Sequence, residues 1–200
     1  MALEALGSDN FSYYAFYDRC QDLFTEKSEW KPPFQGDPVI LDTNVRNTRP
    51  IGRFAARIGN VPEAPRYAVK DGPEPVLLAY KNIAEIPAIL AKLAKDLVGK
   101  DKISPDNIIV LSPYKPGHER LNIEGFINQQ EKLFTKDLVN DGQNKVRIGT
   151  IQGFKGLEAD VVILCGIDGH LPACRPSNLY VGATRARSML YVIHEAGTKI

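Results

Sequence analysis

The sequence predicts an α/β domain built on a mainly parallel sheet, and three observations lead there. Apolar runs of strand length recur along the chain, at Pro75–Tyr80, Asn107–Leu111 and Met189–Ile193. Helical patterns separate them, and strands alternating with helices are joined by crossovers that cover the faces of a parallel sheet. The runs are nearly continuous in apolar residues rather than alternating, as in strands buried on both faces.

Two hundred residues suffice for one such domain and for a sizeable core. Residues 1–10, MALEALGSDN, are expected to form a poorly ordered lead, and residues 11–200 the domain. Hydrophobic residues make up 44% and charged residues 24%, ordinary for a globular chain. The net charge of +1 announces no nucleic-acid binder, so any such surface must come from local clusters of Arg and Lys. Cys20, Cys165 and Cys174 form no CxxC pair, and His118, His170 and His194 share no ligand spacing, so a zinc site is disfavoured. The N-terminus lacks a signal pattern and no apolar run is long enough to cross a bilayer. A reducing, cytoplasmic setting without a membrane is the expectation.

In chain order, Phe11–Tyr17 is a short aromatic strand candidate leading into Asp18-Arg-Cys-Gln21, and Trp30–Pro38 is a proline-rich loop. A brief strand at Val39–Leu41 follows. Pro50 suits the first turn of a helix, whose apolar stripe is Ile51, Phe54, Ala55 and Ile58 and whose end is Gly59 or Asn60. Arg49, Arg53 and Arg57 occupy another face, read as solvated. Asn60–Pro75 is expected to be a connection with little regular structure. Asn82–Val98 is the clearest helix: Asn82 caps it with Glu85 three residues on, and Ile83, Ile86, Leu90, Leu93 and Leu97 share a face. Pro87 falls early enough to distort rather than break it. Residues 117–142 are polar and weakly helical.

The chemistry concentrates between Arg147 and Val192. Thr150-Ile-Gln-Gly-Phe-Lys-Gly-Leu-Glu158 is a polar, glycine-punctuated loop between apolar runs. Asn178–Arg187 is expected to place Thr184, Arg185 and Arg187 in a short helix ahead of the Met189 run. Parallel sheets hold ligands at the carboxyl ends of their strands, where both features are expected to lie.

These two stretches, TIQGFKGLEADVVIL and LYVGATRAR, resemble the fifth and sixth motifs of superfamily-one helicases of the UvrD/Rep/PcrA type, in the family's order and spacing. The likeness extends from about Phe11 to Ile193 and is weakest between Asn60 and Lys145. It implies a RecA-like, three-layer domain, the second of the two motor domains in such an enzyme. It makes Arg185 an arginine finger toward ATP and Arg46, in Asn44-Val-Arg46-Asn-Thr48, a second phosphate-facing arginine; Val45 stands where the family commonly has an aromatic. Asp18 and Gln21 match a third motif whose Gln senses the terminal phosphate. Glu158 matches a residue on the nucleotide sugar or terminal phosphate, and Gly156 permits close backbone approach. Thr150 and Gln152 are expected to face DNA, with Gln152 standing where relatives often have His. Ser112, Tyr114, Lys115 and Arg120 are candidates to supply a hydroxyl, a stacking ring and charges.

Plainer roles are also open: a polar turn at Asp18–Gln21 and Ser112–Lys115, a solvated lysine at Lys155, a surface helix charge at Arg185, a structural role at Arg187, and a non-functional Glu158. No G-x-x-x-x-G-K-[ST] occurs in the sequence. The resemblance therefore implies that the phosphate cradle and the ligands of the Mg2+ that accompanies ATP belong to a first RecA-like domain of a longer polypeptide, without which this chain is inactive. Single-stranded DNA is the expected track, with RNA not excluded. The alternative is a non-catalytic RecA-like module that binds nucleic acid or a protein.

Overall fold

A computed structural model describes residues 42–69, 71–138 and 144–200. The expected elements at Phe11–Tyr17, Trp30–Pro38 and Val39–Leu41, together with Asp18 and Gln21, lie outside these residues. Along the described chain run β1 (Thr43–Thr48), α1 (Arg49–Gly59), β2 (Arg66–Val69), β3 (Val76–Tyr80), α2 (Ile86–Gly99), β4 (Ile108–Ser112), α3 (Glu124–Gln129), β5 (Phe134–Thr135), β6 (Val146–Thr150), β7 (Ala159–Ile167), α4 (Pro176–Ala183) and β8 (Ala186–Glu195). Six strands form one sheet in the order β3-β8-β7-β4-β6-β5, and every pairing in it is parallel. The α/β, RecA-like class expected from the sequence is the one observed.

The apolar runs explain the centre of that sheet. Every residue of β4 is buried, and all of β7 is buried except the half-exposed Asp160. Strands covered on both faces need apolar side chains at successive positions, which is what IIVL and VVILC supply. α1 begins at Arg49 with Thr48 as N-cap and Pro50 in the first turn, and Asn60 ends it in the left-handed conformation (φ 50°). Its buried face is Ile51, Phe54 and Ala55, with Ile58 packed beside them. Helix α2 buries Ile86, Leu90, Ala94 and Leu97. Pro87 separates it from a leading 3-10 turn at Ile83–Glu85, which Asn82 caps by accepting the Ala84 N–H at 2.9 Å.

Three expectations change. Asn60–Pro75 contains β2, which pairs in parallel with β1 as a separate two-stranded sheet. Residues 117–142 contribute α3 and the two-residue strand β5 at the sheet edge. Helix α4 stops at Ala183, so Thr184 and Arg185 form the turn after it and Arg187 lies in β8. The helix ends there because Ala159 N–H takes the Arg185 carbonyl, which draws residue 186 into register with Ala159.

Candidate functional site

The parallel register sorts the candidate residues onto two edges of the sheet. Ser112 and Thr150, the last residues of β4 and β6, are direct partners at the carboxyl edge. Ala159 and Ala186, the first residues of β7 and β8, are partners at the amino edge. Glu158 and Arg185 therefore stand at the amino ends of their strands, against the expectation that the whole motif region would gather at carboxyl ends. The segment from Thr150 to Glu158 connects the two edges, because β6 and β7 run parallel on either side of β4. Ile151 and Phe154 are fully buried and pin it to the core, while Gln152, Lys155 and Glu158 stay exposed. Gly156 turns the segment at φ 93°, a conformation glycine adopts without a Cβ penalty.

At the amino edge, Arg46 from β1 meets Glu158: Nε lies 2.9 Å from the carboxylate, with side chains 39% and 44% exposed. Arg46 is set in place by Asn44, whose Oδ1 accepts the backbone N–H groups of Arg46 (3.0 Å) and Asn47 (2.9 Å). Val45 beside them is 73% exposed. Arg185 is the largest fully buried side chain, at 1% exposure. Its Nε donates to the Val181 carbonyl (3.0 Å), Nη1 to the Leu157 carbonyl (3.3 Å) and Nη2 to Thr184 Oγ1 (3.3 Å). Through Nη1, Arg185 thus holds the backbone of Leu157, the residue before Glu158. Arg187 is on the surface, 3.7 Å from Asp160.

At the carboxyl edge, Lys115 and Gln152 are exposed and Thr150 is half-buried, its Oγ1 accepting the Gly153 N–H at 3.0 Å. Ser112 and Tyr114 are not surface groups. Ser112 is 1% exposed and its Oγ accepts the Tyr114 N–H at 3.1 Å. The Tyr114 ring is 7% exposed and stacks on His118, and its hydroxyl donates to both oxygens of Asp168 at 2.9 and 3.0 Å. A ring held this way offers no open face to a base, which corrects the expectation of a stacking platform at Tyr114. Asp168, after β7, also accepts from the Cys174 thiol (3.2 Å), the His170 N–H (2.9 Å) and Arg120 (3.4 Å). Burial alone would raise the Asp168 carboxyl, but the hydrogen bonds from His170, Cys174 and Tyr114 outweigh it and hold the group below its ordinary value. Desolvation and the adjacent carboxylate push the Tyr114 hydroxyl up, so it remains a donor. This network was missed because an acid and a thiol in one loop and a tyrosine in another leave no spacing to read.

Among the described residues there is no group of three or more His, Cys, Asp or Glu side chains placed to hold a metal ion. No helix among them is long and apolar enough to cross a membrane.

Residues 145–193, which include Thr150, Gln152, Gly156, Glu158 and Arg185, match the family described as the UvrD-like helicase C-terminal domain. The chain is similar to the crystal structure of the C-terminal domain of a possible DNA helicase from Lactobacillus plantarum WCFS1, with a TM-score of 0.51 and 18% identity over 75% of this chain and 86% of that one. No curated protein matches the sequence. Arg46, Ser112, Tyr114 and Lys115 fall outside the matched segment, and the fold rather than sequence proximity brings Arg46 to it.

Proposed function

We propose that this domain is the second motor domain of an ATP-dependent DNA helicase or translocase. It would present Arg46, Arg185 and Glu158 to ATP carried by a first RecA-like domain. The observation that supports it best is the Arg46–Glu158 contact, which joins residues of two separate motifs at a half-exposed position above the buried Arg185. Guanidinium groups suit phosphate oxygens because they stay charged and donate in pairs. When bound, ATP supplies the phosphoryl group, and its Mg2+ is held by the first domain.

Glu158 keeps Arg46 extended until a phosphate competes for the guanidinium. Its own carboxylate is then released to accept a sugar hydroxyl. Arg185 exchanges neutral carbonyl partners for phosphate oxygens as the two domains close, a gating step of the kind that sets turnover in many enzymes. Gln21 and Asp18 are assigned to the same nucleotide. At the carboxyl edge, Lys115, Gln152 and Thr150 are assigned to single-stranded DNA: the lysine to a backbone phosphate, the other two to hydrogen bonds.

ATP hydrolysis by the product of the whole reading frame, with and without single-stranded DNA, tests this. Arg46→Ala is expected to lower DNA-stimulated turnover by about a thousandfold, as for arginine fingers generally. Its folding stability should change by less than about 1 kcal/mol, because the pair is half-exposed and screened. Normal turnover in Arg46→Ala would refute the assignment. The 1% exposure of Arg185 favours a second reading, in which the arginine is an internal strut of a non-catalytic binding module. That reading leads if the whole product binds DNA but hydrolyses no ATP.

A further inference from the structure

We infer that Asn47 is a positioning residue that sets both arginines of the nucleotide edge from one strand end, an inference that rests on the function proposed above. Asn47 is 1% exposed although its neighbour Arg46 faces solvent. Its Nδ2 donates to the Thr184 carbonyl at 3.1 Å and also to the Ala186 carbonyl. These carbonyls belong to the residues immediately before and after Arg185. One amide group therefore brackets the arginine's backbone and fixes where its side chain starts. The remaining atom of that amide is also used: Oδ1 accepts from Asn44 Nδ2 at 3.1 Å. Asn44 in turn accepts the backbone N–H of Arg46. A continuous chain of hydrogen bonds thus runs from the backbone of Arg46, through Asn44 and Asn47, to the backbone around Arg185.

Among side chains of this length, only Asn supplies this combination. Asp lacks the donors that two carbonyls require, and Leu or Ala would leave both carbonyls buried without Asn47. The N–H groups of the turn after α4 are held by the helix, Thr184 N–H by the Tyr180 carbonyl (2.9 Å) and Arg185 N–H by the Gly182 carbonyl (3.2 Å), whereas the Thr184 and Ala186 carbonyls go to Asn47. The β1 end thus holds the carbonyls on either side of Arg185, and in doing so it couples the angle of Arg46 to that of Arg185.

The test is DNA-stimulated ATP hydrolysis by the whole product, as kcat and as KM for ATP, for Asn47→Ala, Arg185→Ala and the double variant. Asn47→Ala should reduce kcat by about a hundredfold, the scale of a small misplacement of a catalytic group, with KM changed by less than about threefold. In the Arg185→Ala background the same substitution should have no further effect on kcat. A residue with only a structural role would instead lower kcat by the same factor in both backgrounds, and that result overturns the inference. If Asn47→Ala does not fold, Asn44→Ala carries the test, since it is only part-buried and breaks the same chain: a loss of kcat that disappears in the Arg185→Ala background supports the coupling, and an unchanged kcat overturns it. Normal hydrolysis by Arg185→Ala alone would sink the proposed function instead, so the two failures are distinct.

Discussion

Replacing Asp168 with Ala removes one acceptor from four donors on two loops. The Tyr114 hydroxyl at 2.9 Å, the His170 N–H at 2.9 Å, the Cys174 thiol at 3.2 Å and Arg120 at 3.4 Å all converge on a side chain only 5% exposed. Hydrogen bonds to a charged acceptor contribute about 1.5–3 kcal/mol each. Not all of this is lost, because Arg120 and the His170 backbone lie near solvent and can rehydrate. Tyr114 cannot, and leaving its buried hydroxyl without a partner costs about 1–3 kcal/mol. Together with the loss at the buried Cys174 thiol, about 3 kcal/mol of destabilisation at neutral pH is expected for Asp168→Ala, and about 1–2 kcal/mol for Asp168→Asn, which keeps one acceptor oxygen. Urea denaturation of the chain measures both.

The acid limb gives a second readout. The carboxyl is held below its ordinary value of 3.8, so near that pH the unfolded chain binds the proton more readily than the folded one. The contribution of Asp168 is therefore fully present above 3.8 and is lost as pH falls through its lower folded-state value. Wild type and Asp168→Asn should converge on acidification. A cost below about 1 kcal/mol for Asp168→Ala, or a wild-type to Asn gap that persists undiminished in acid, would refute the reasoning.

Two other expectations concern the core. A Cβ at Gly59 would lie 2.7 Å from Tyr180 Cβ, and neither atom can swing away, so Gly59→Ala should destabilise the chain by about 1–3 kcal/mol in urea despite alanine's better helix propensity; a neutral or stabilising result would mean that α1 and α4 are not so tightly packed. Burial pushes the thiols of both Cys165 and Cys174 up, so in a Cys20→Ser background a thiol reagent at mildly alkaline pH should label neither until denaturant is added, and rapid labelling would contradict their burial.

The central strands and α1 were legible because burial on both faces and a helical stripe each impose a pattern that a single stretch of sequence displays. The strand in β2 was not, since only Tyr67 of Arg66–Val69 is buried and no alternation survives. Arg46, Glu158 and Arg185 could be named from their motifs, but not the edge they occupy, which follows from register across three strands. Tyr114 was misplaced because an aromatic in a polar loop reads as exposed; what buries it is Asp168, a partner outside any local window. Asn47 went unassigned for the same reason, as its contacts are with the backbone of residues that have no side-chain signature for it.

The segment that leaves β6 at Thr150 and enters β7 at Ala159 has little slack. It passes from one edge of the sheet to the other in a short stretch, and midway it is clamped by Ile151 and Phe154, both fully buried. Gly182 of α4 presses on that clamp so closely that a Cβ there would stand 3.0 Å from the Ile151 side chain. A strut so short and so firmly seated cannot take up a displacement at one end by bending in the middle. A displacement at Thr150 or Gln152 is therefore expected to reach Glu158, with the floor of the domain as the fulcrum.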